Sequence, residues 1–123
     1  MTRIVTEFGK ILRKLRIDRD ETLKTMAEKL SITSSYLSAI ERGKRAIPVN
    51  LTDRLTSIYQ LDISEQNELH KAYDESIDRV IIKLPPNNIY KRNLALVFAK
   101  EINNLSDKQV TQLLKMITSE HKN

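Results

Sequence analysis

Apolar residues recur at intervals of three and four positions along most of the chain, which is the spacing of one face of an α-helix. The clearest segments lie in the N-terminal third. Their apolar positions are Val5, Phe8, Ile11, Leu12 and Leu15, then Leu23, Met26, Ala27 and Leu30, and then Leu37, Ala39 and Ile40. Thr22 and Thr33 precede the second and third segments, and a threonine there can accept from free backbone N–H groups. The pattern predicts three helices, of which the last two are separated by a three-residue turn.

The rest of the chain predicts four more helices and one extended segment. The helical positions are Leu51, Leu55, Ile58 and Tyr59, then Leu69, Ala72 and Tyr73, then Leu94, Val97, Phe98, Ile102 and Leu105, and finally Val110, Leu113, Leu114 and Ile117. The run Val80–Leu84 is rich in β-branched residues and ends at Pro85-Pro86, which predicts a short strand or an extended connection. The fold class is therefore all-α, with this run as the one candidate strand.

The two glycines have different predicted uses. Gly9 lies inside the first helix, where it costs about 1 kcal/mol relative to alanine, so it indicates a close approach of another helix. Gly43 follows the third helix, where a left-handed residue commonly ends a helix.

The composition excludes several kinds of site. The chain of 123 residues contains no cysteine, which rules out disulfide scaffolds, thiolate metal sites and cysteine nucleophiles. Its two histidines lie far apart, and no glycine-rich phosphate loop is present. No apolar run approaches the roughly 18 residues that span a bilayer, and the N-terminus has no signal-peptide core. We expect a cytoplasmic protein with no enzymatic activity, metal, cofactor or membrane partner.

Charge is distributed unevenly along the chain. Residues 1–60 hold 12 lysines and arginines against 7 acidic residues, whereas residues 61–123 hold 9 of each. The first half therefore carries the whole net charge of +5, and residues 62–78 are locally acidic. This segregation favours a basic module that binds an anion, followed by a module with another role.

Two short helices joined by a three-residue turn in a basic segment form a helix-turn-helix pattern. Over roughly residues 6–60 the sequence resembles the Cro/C1-type, lambda-repressor-like (XRE family) DNA-binding domains. The resemblance is carried by Phe8-Gly9-x-x-Leu12-Arg13-x-Leu15-Arg16, by Met26-Ala27-Glu28-Lys29-Leu30, and by Ser35-Tyr36-Leu37-Ser38-Ala39-Ile40-Glu41-Arg42-Gly43-Lys44-Arg45. Two positions depart from it. Ser31 stands where the family usually has glycine at the turn, and Leu23 replaces a glutamine that contacts a phosphate in many members.

The resemblance also implies roles for individual residues. The third helix would be the recognition helix, and the residues expected to contact DNA are Thr33, Ser34, Ser35, Tyr36, Ser38, Arg42, Lys44 and Arg45. Arg16 and Glu41 would form a partly buried structural ion pair. Serine hydroxyls discriminate bases less sharply than arginine or glutamine, so we expect much of the affinity to be electrostatic and part of the specificity to come from DNA shape.

These inferences define three segments and two candidate functions. Residues 1–61 are the predicted helix-turn-helix domain, residues 62–84 a helix with an extended connector, and residues 85–123 a helical hairpin that dimerises or binds a partner. One function is a homodimeric repressor of the phage or mobile-element type, which occludes a promoter at a pseudo-palindromic operator on double-stranded DNA. The alternative is an antitoxin that binds a toxin protein through its C-terminal half and represses its own operon.

Overall fold

The computed structural model describes residues 4–119, and in this range it contains seven α-helices and no strand. The helices are α1 (Glu7–Asp18), α2 (Leu23–Lys29), α3 (Ser34–Glu41), α4 (Leu51–Tyr59), α5 (Ile63–Ser76), α6 (Ile89–Glu101) and α7 (Asp107–Ser119), with a short 3-10 helix at Ile102–Asn104. The all-α prediction is confirmed over these residues. None of these helices is both long enough and apolar enough to cross a membrane.

The chain divides into two compact units, Met1–Ile82 and Lys83–Asn123. The first unit has one hydrophobic core, to which all five of its helices contribute. The core residues are Phe8, Leu12, Leu15, Met26, Ala27, Leu30, Leu37, Ile40, Ile47, Leu51, Leu55, Tyr59, Leu61 and Leu69. Since most of these are positions that the three- and four-residue spacing marks, the buried faces of helices α1 to α4 follow directly from the sequence pattern.

Helix α5 packs antiparallel to α1. Near one end of the pair, Arg19 contacts Glu65 at 3.2 Å. Near the other end, the backbone N–H of Phe8 donates to the Ser76 hydroxyl at 3.0 Å, and the Phe8 ring meets the edge of Tyr73 at 6.1 Å between centroids. Helix α5 therefore belongs to the same packed unit as the four helices before it.

The segment Val80–Leu84 is not a strand. Within the described residues, positions 77–85 have no regular secondary structure, and the side chains of Val80, Ile81 and Ile82 are exposed. A strand is stable only when its backbone groups pair with a neighbouring strand, and the described part of the chain offers no neighbour. Of the two predicted alternatives, the strand is wrong because β propensity alone does not supply that partner, and the segment is an irregular connection.

Helices α1, α2 and α3 end in the same way, with a left-handed residue just after the last turn. These residues are Asp20 (φ 54°), Ser31 (φ 58°) and Gly43 (φ 73°). After Ser31 the N–H of Ile32 returns to the carbonyl of Ala27 at 3.0 Å, which satisfies a free carbonyl at the helix end. The predicted helix stop at Gly43 is confirmed.

The starts of α2, α3 and α5 are fixed by side-chain caps. The Thr22 hydroxyl accepts from the N–H of Thr25 at 3.1 Å, and the Thr33 hydroxyl accepts from the N–H of Tyr36 at 3.0 Å. Both predicted caps are therefore confirmed. Helix α5 begins with a reciprocal pair, in which Asp62 accepts from one backbone N–H and the side chain of the third helical residue accepts from the N–H of Asp62.

A polar cluster connects the end of α4 to the start of α2. The Tyr59 hydroxyl donates to the Glu21 carboxylate at 2.6 Å, and Lys29 pairs with the same carboxylate. Burial tends to raise the pKa of the Glu21 carboxyl, but the hydrogen bonds from Lys29 and Tyr59 outweigh it, so this pKa lies below its ordinary value. Burial and the neighbouring Glu21 raise the pKa of the Tyr59 hydroxyl, which stays protonated and keeps donating.

The helices of the second unit expose their apolar stripes. Neither α6 nor α7 contains a buried residue. Leu94 is 69% exposed on α6, and Leu114 is 57% exposed on α7. The unit is held by local interactions such as the reciprocal cap between Ser106 and Gln109. No residue of either stripe is more than partly buried.

We expect Ser31→Gly to stabilise the first unit, because glycine adopts positive φ without the steric cost that a side chain has there. The expected gain in the free energy of unfolding is about 1 kcal/mol, measured by urea denaturation. Ser31→Ala is the matched control, since it removes the hydroxyl but keeps the Cβ, and it should give no gain. Equal midpoints for the glycine variant and the wild type would contradict this account of the turn.

Candidate DNA-binding surface

Helix α3 turns one face to the core and the other to solvent. Leu37 and Ile40 are fully buried, and Glu41 is 2% exposed. Because these residues repeat at three and four positions, the residues between them lie on the outer face. The other helix of the helix-turn-helix pair, α2, closes the inner face with Ala27, which is 1% exposed and leaves room for the two helices to approach.

Half of the eight candidate contact residues lie at the N-terminal end of α3. Thr33 and Ser35 are exposed, while Ser34 and Ser38 are partly buried. The Thr33 hydroxyl is engaged as the helix cap. The structure therefore places these side chains together at the start of the helix and along its outer face, with small hydroxyl groups presented to solvent.

Tyr36 and Arg45 lie against each other. The Arg45 guanidinium carbon is 5.0 Å from the centroid of the Tyr36 ring, a distance at which a cation is attracted to the face of the ring. Arg45 itself is exposed, and Tyr36 is partly buried and packs on the edge of the core. The stacking joins the outer face of α3 to the loop after it and limits the directions that the guanidinium can take.

The basic loop starts at the end of α3. Arg42 is the C-terminal cap residue and is partly buried, and Lys44 is exposed. The left-handed Gly43 turns the chain so that the N–H of Lys44 donates to the Ala39 carbonyl at 2.8 Å. Arg42, Lys44 and Arg45 are thus gathered at the C-terminal end of α3. None of the eight candidate contact residues is buried.

Comparison with known proteins agrees with this geometry. Residues 7–69, just over half of the chain, match the family model described as a helix-turn-helix domain. The chain belongs to the helix-turn-helix domain family. It is therefore a DNA-binding regulator of the helix-turn-helix class. No match is found among curated proteins or among solved structures.

The family match also extends beyond the segment that the sequence resemblance covers. It ends at residue 69, within α5, whereas the resemblance covers roughly residues 6–60. Leu69, at the end of the match, is fully buried in the core of the first unit. Helix α5 therefore contributes to the hydrophobic core of the helix-turn-helix domain.

Among the described residues, no group of three histidine or acidic side chains is arranged to hold a metal ion.

A buried charge cluster connects α3 to α1. Arg16 Nη1 is 2.5 Å from Glu41 Oε2, and Nη2 is 3.3 Å from Oε1. Arg13, which was not predicted to take part in this ion pair, adds a third contact at 3.4 Å to Oε1. Its place three residues before Arg16 puts both on one helix face, and this spacing is the signal that could have identified it. The buried carboxylate of Glu41 therefore has two cationic partners.

The backbone of Glu41 is held as tightly as its side chain. The Thr6 N–H and hydroxyl both donate to the Glu41 carbonyl, each at 3.0 Å. Gly9 lies so close that an added Cβ would come within 2.3 Å of that carbonyl oxygen. The close helix approach that Gly9 predicts is confirmed, and it fixes the end of α3 against the first turn of α1.

We expect Gly9→Ala to destabilise the helix-turn-helix domain by about 2 kcal/mol, since a new methyl group would overlap a backbone atom that two hydrogen bonds hold in place. The measurement is urea denaturation followed by circular dichroism. Lys10→Ala is the control, because Lys10 is the exposed next residue on the same helix, and it should change stability by less than about 0.5 kcal/mol. A Gly9→Ala variant as stable as the wild type would show that the approach is looser than described.

Proposed function

We propose that the protein is a sequence-specific, double-stranded-DNA-binding transcriptional regulator of the Cro/C1 type, which represses a promoter as a homodimer. The observation that carries this proposal is the outward face of α3, which is flanked by Arg42, Lys44 and Arg45 within a helix-turn-helix domain. A helix of this size fits the major groove of B-DNA, and cations at its end reach the phosphates beside the groove.

The recognition helix enters the groove with its N-terminal end. Ser34, Ser35 and Ser38 face the base edges, with Thr33 next to them at the start of the helix, and a serine hydroxyl can donate to or accept from several bases. Tyr36 lies beside them, within reach of a sugar or a thymine methyl group. Direct readout by these small side chains is permissive, so the sequence-dependent shape of the operator supplies part of the specificity.

The loop after α3 supplies the electrostatic part of the affinity. Arg42 and Lys44 bind phosphates directly, and Arg45 does so from its position on the Tyr36 ring. Every phosphate neutralised releases bound counterions, which makes the affinity fall as salt increases. Repression follows when the bound protein occupies DNA that RNA polymerase needs.

We expect Lys44→Ala to weaken binding to all duplexes and to reduce the slope of log affinity against log salt concentration by about 0.9 for each phosphate that the variant no longer neutralises. Fluorescence anisotropy across salt concentrations measures both quantities on a duplex selected from random DNA. Lys71→Ala is the matched control, because this exposed lysine lies among the acidic residues of α5. Equal slopes for the Lys44 variant and the wild type, or a wild type whose affinity does not depend on salt, would contradict the proposal.

The second unit provides the homodimer contact in this proposal. Its two 13-residue helices bury no side chain, and isolated helices of this length are only marginally stable in water. A second copy would cover the stripes that contain Leu94, Val97 and Phe98 on α6 and Leu114 and Ile117 on α7. Two copies related by a two-fold axis present their recognition helices to half-sites about 34 Å apart, as a pseudo-palindromic operator requires.

Wild-type protein at micromolar concentration is expected to sediment as a dimer in analytical ultracentrifugation. Leu114→Glu should shift it toward monomer, since a carboxylate in an apolar interface has no partner there. Gln112→Glu, an exposed polar position on the same helix, is the control and should leave the dimer intact. A strictly monomeric wild type would contradict homodimerisation.

The antitoxin remains the alternative, and the same apolar stripes would then cover a toxin protein. The acidic segment 62–78 favours a basic partner less than its composition indicates, because Glu65 and Glu68 already pair with Arg19 and Lys14. Two observations together would support the antitoxin over the repressor. The wild type would be monomeric, and it would form a complex with the small protein that a neighbouring gene encodes.

A further inference from the structure

One arginine outside the helix-turn-helix match lies at the end of the recognition helix. Helix α5 ends at Ser76, and the chain then passes back toward the basic loop. There the Arg79 guanidinium donates from Nη2 to the Gly43 carbonyl at 3.2 Å. Gly43 lies between Arg42 and Lys44, so the contact places Arg79 among the proposed phosphate-binding residues although it is 36 positions away in the sequence.

Arg79 and Gly43 also line an open cleft of about 240 Å³. Arg42, Arg45 and Arg79 contribute to its wall, together with the hydroxyl-bearing Thr6 and Ser76. Three guanidinium groups against one acidic side chain give the cleft a positive potential. Guanidinium groups bind phosphate oxygens through paired N–H donors.

Asp78 is the one acidic residue in the cleft wall. Its carboxylate oxygen is 3.8 Å from Arg79 Nε, and its side chain is 77% exposed. This long, solvated contact is weak, and it engages a different nitrogen of the guanidinium from the one that donates to Gly43. The arginine therefore keeps donors available to a further acceptor, and its side chain is 45% exposed.

We propose that Arg79 binds a phosphate of the DNA backbone next to the phosphates that Arg42 and Arg45 contact, so that the DNA-binding surface continues past the helix-turn-helix domain into the connector. The inference rests on the proposed DNA-binding function. It extends the proposed function by adding a DNA-contacting residue that lies outside the helix-turn-helix motif. The position at the C-terminal end of α3 places Arg79 over the phosphate backbone, away from the base-reading N-terminal end.

Two substitutions separate a phosphate contact from a structural bond to Gly43. Arg79→Gln keeps an N–H donor for the Gly43 carbonyl but removes the charge. Arg79→Lys keeps the charge but lacks the planar guanidinium. The experiment measures the affinity of the full chain for its selected duplex by fluorescence anisotropy between about 50 and 200 mM salt. Each phosphate that a variant leaves unneutralised lowers the ratio of the affinity at 50 mM to the affinity at 200 mM salt about 3.5-fold. Thermal denaturation of each variant confirms that the fold is retained.

The expected result is that Arg79→Gln reduces the salt slope by about 0.9 for each Arg79 engaged, while Arg79→Lys keeps the slope of the wild type. Asp78→Asn should bind about twofold more tightly, because it removes a negative charge beside the phosphate. An unchanged slope in Arg79→Gln, when Lys44→Ala lowers the slope, would overturn the inference and leave DNA binding intact. A wild type that binds no duplex would overturn the proposed function itself.

Discussion

The carboxylate of Glu41 is the charge around which the DNA-binding unit is arranged. A buried carboxylate without a partner costs several kcal/mol, so α1 must pass close enough for Arg16 and Arg13 to reach it. That approach is possible only because Gly9 has no side chain at the point of contact. The position of the outward face of α3 is thus fixed by contacts on its buried face. These contacts are the ion pair with α1 and the close approach that Gly9 of α1 allows. Residues on the outward face, which we propose to read DNA, can then vary without disturbing this ion pair.

Much of this unit could be predicted from the sequence because its signals are local. The caps at Thr22 and Thr33 and the stop at Gly43 each depend on a few neighbouring residues, and the core faces of α1 to α4 follow from their spacing. The features that escaped prediction depend on distant partners. The segment Val80–Leu84 has the residues of a strand, yet nothing in the described chain pairs with it. Residues brought together from separate segments leave no such local signal.

The same reasoning explains the candidate site. Ser34, Ser35 and Arg42 could be assigned from one short motif, since the motif spans a single helix and its end. Arg79 could not be assigned from the motif, because its place beside Gly43 results from the packing of α5 against α1. The two units differ in the same respect. The first buries its apolar residues within itself, whereas the second presents them on the surface, so its pattern predicts helices without identifying what they cover.

The bond between the Phe8 amide and the Ser76 hydroxyl has a consequence for how the protein can be divided. A fragment that stops after α4 would contain the whole motif but would uncover the α1 surface on which Leu69 and Tyr73 rest. It would also leave an amide in the first turn of α1 without its acceptor. The smallest autonomous piece of this protein is therefore longer than its recognisable motif, and natural truncations or domain fusions should join beyond Ser76.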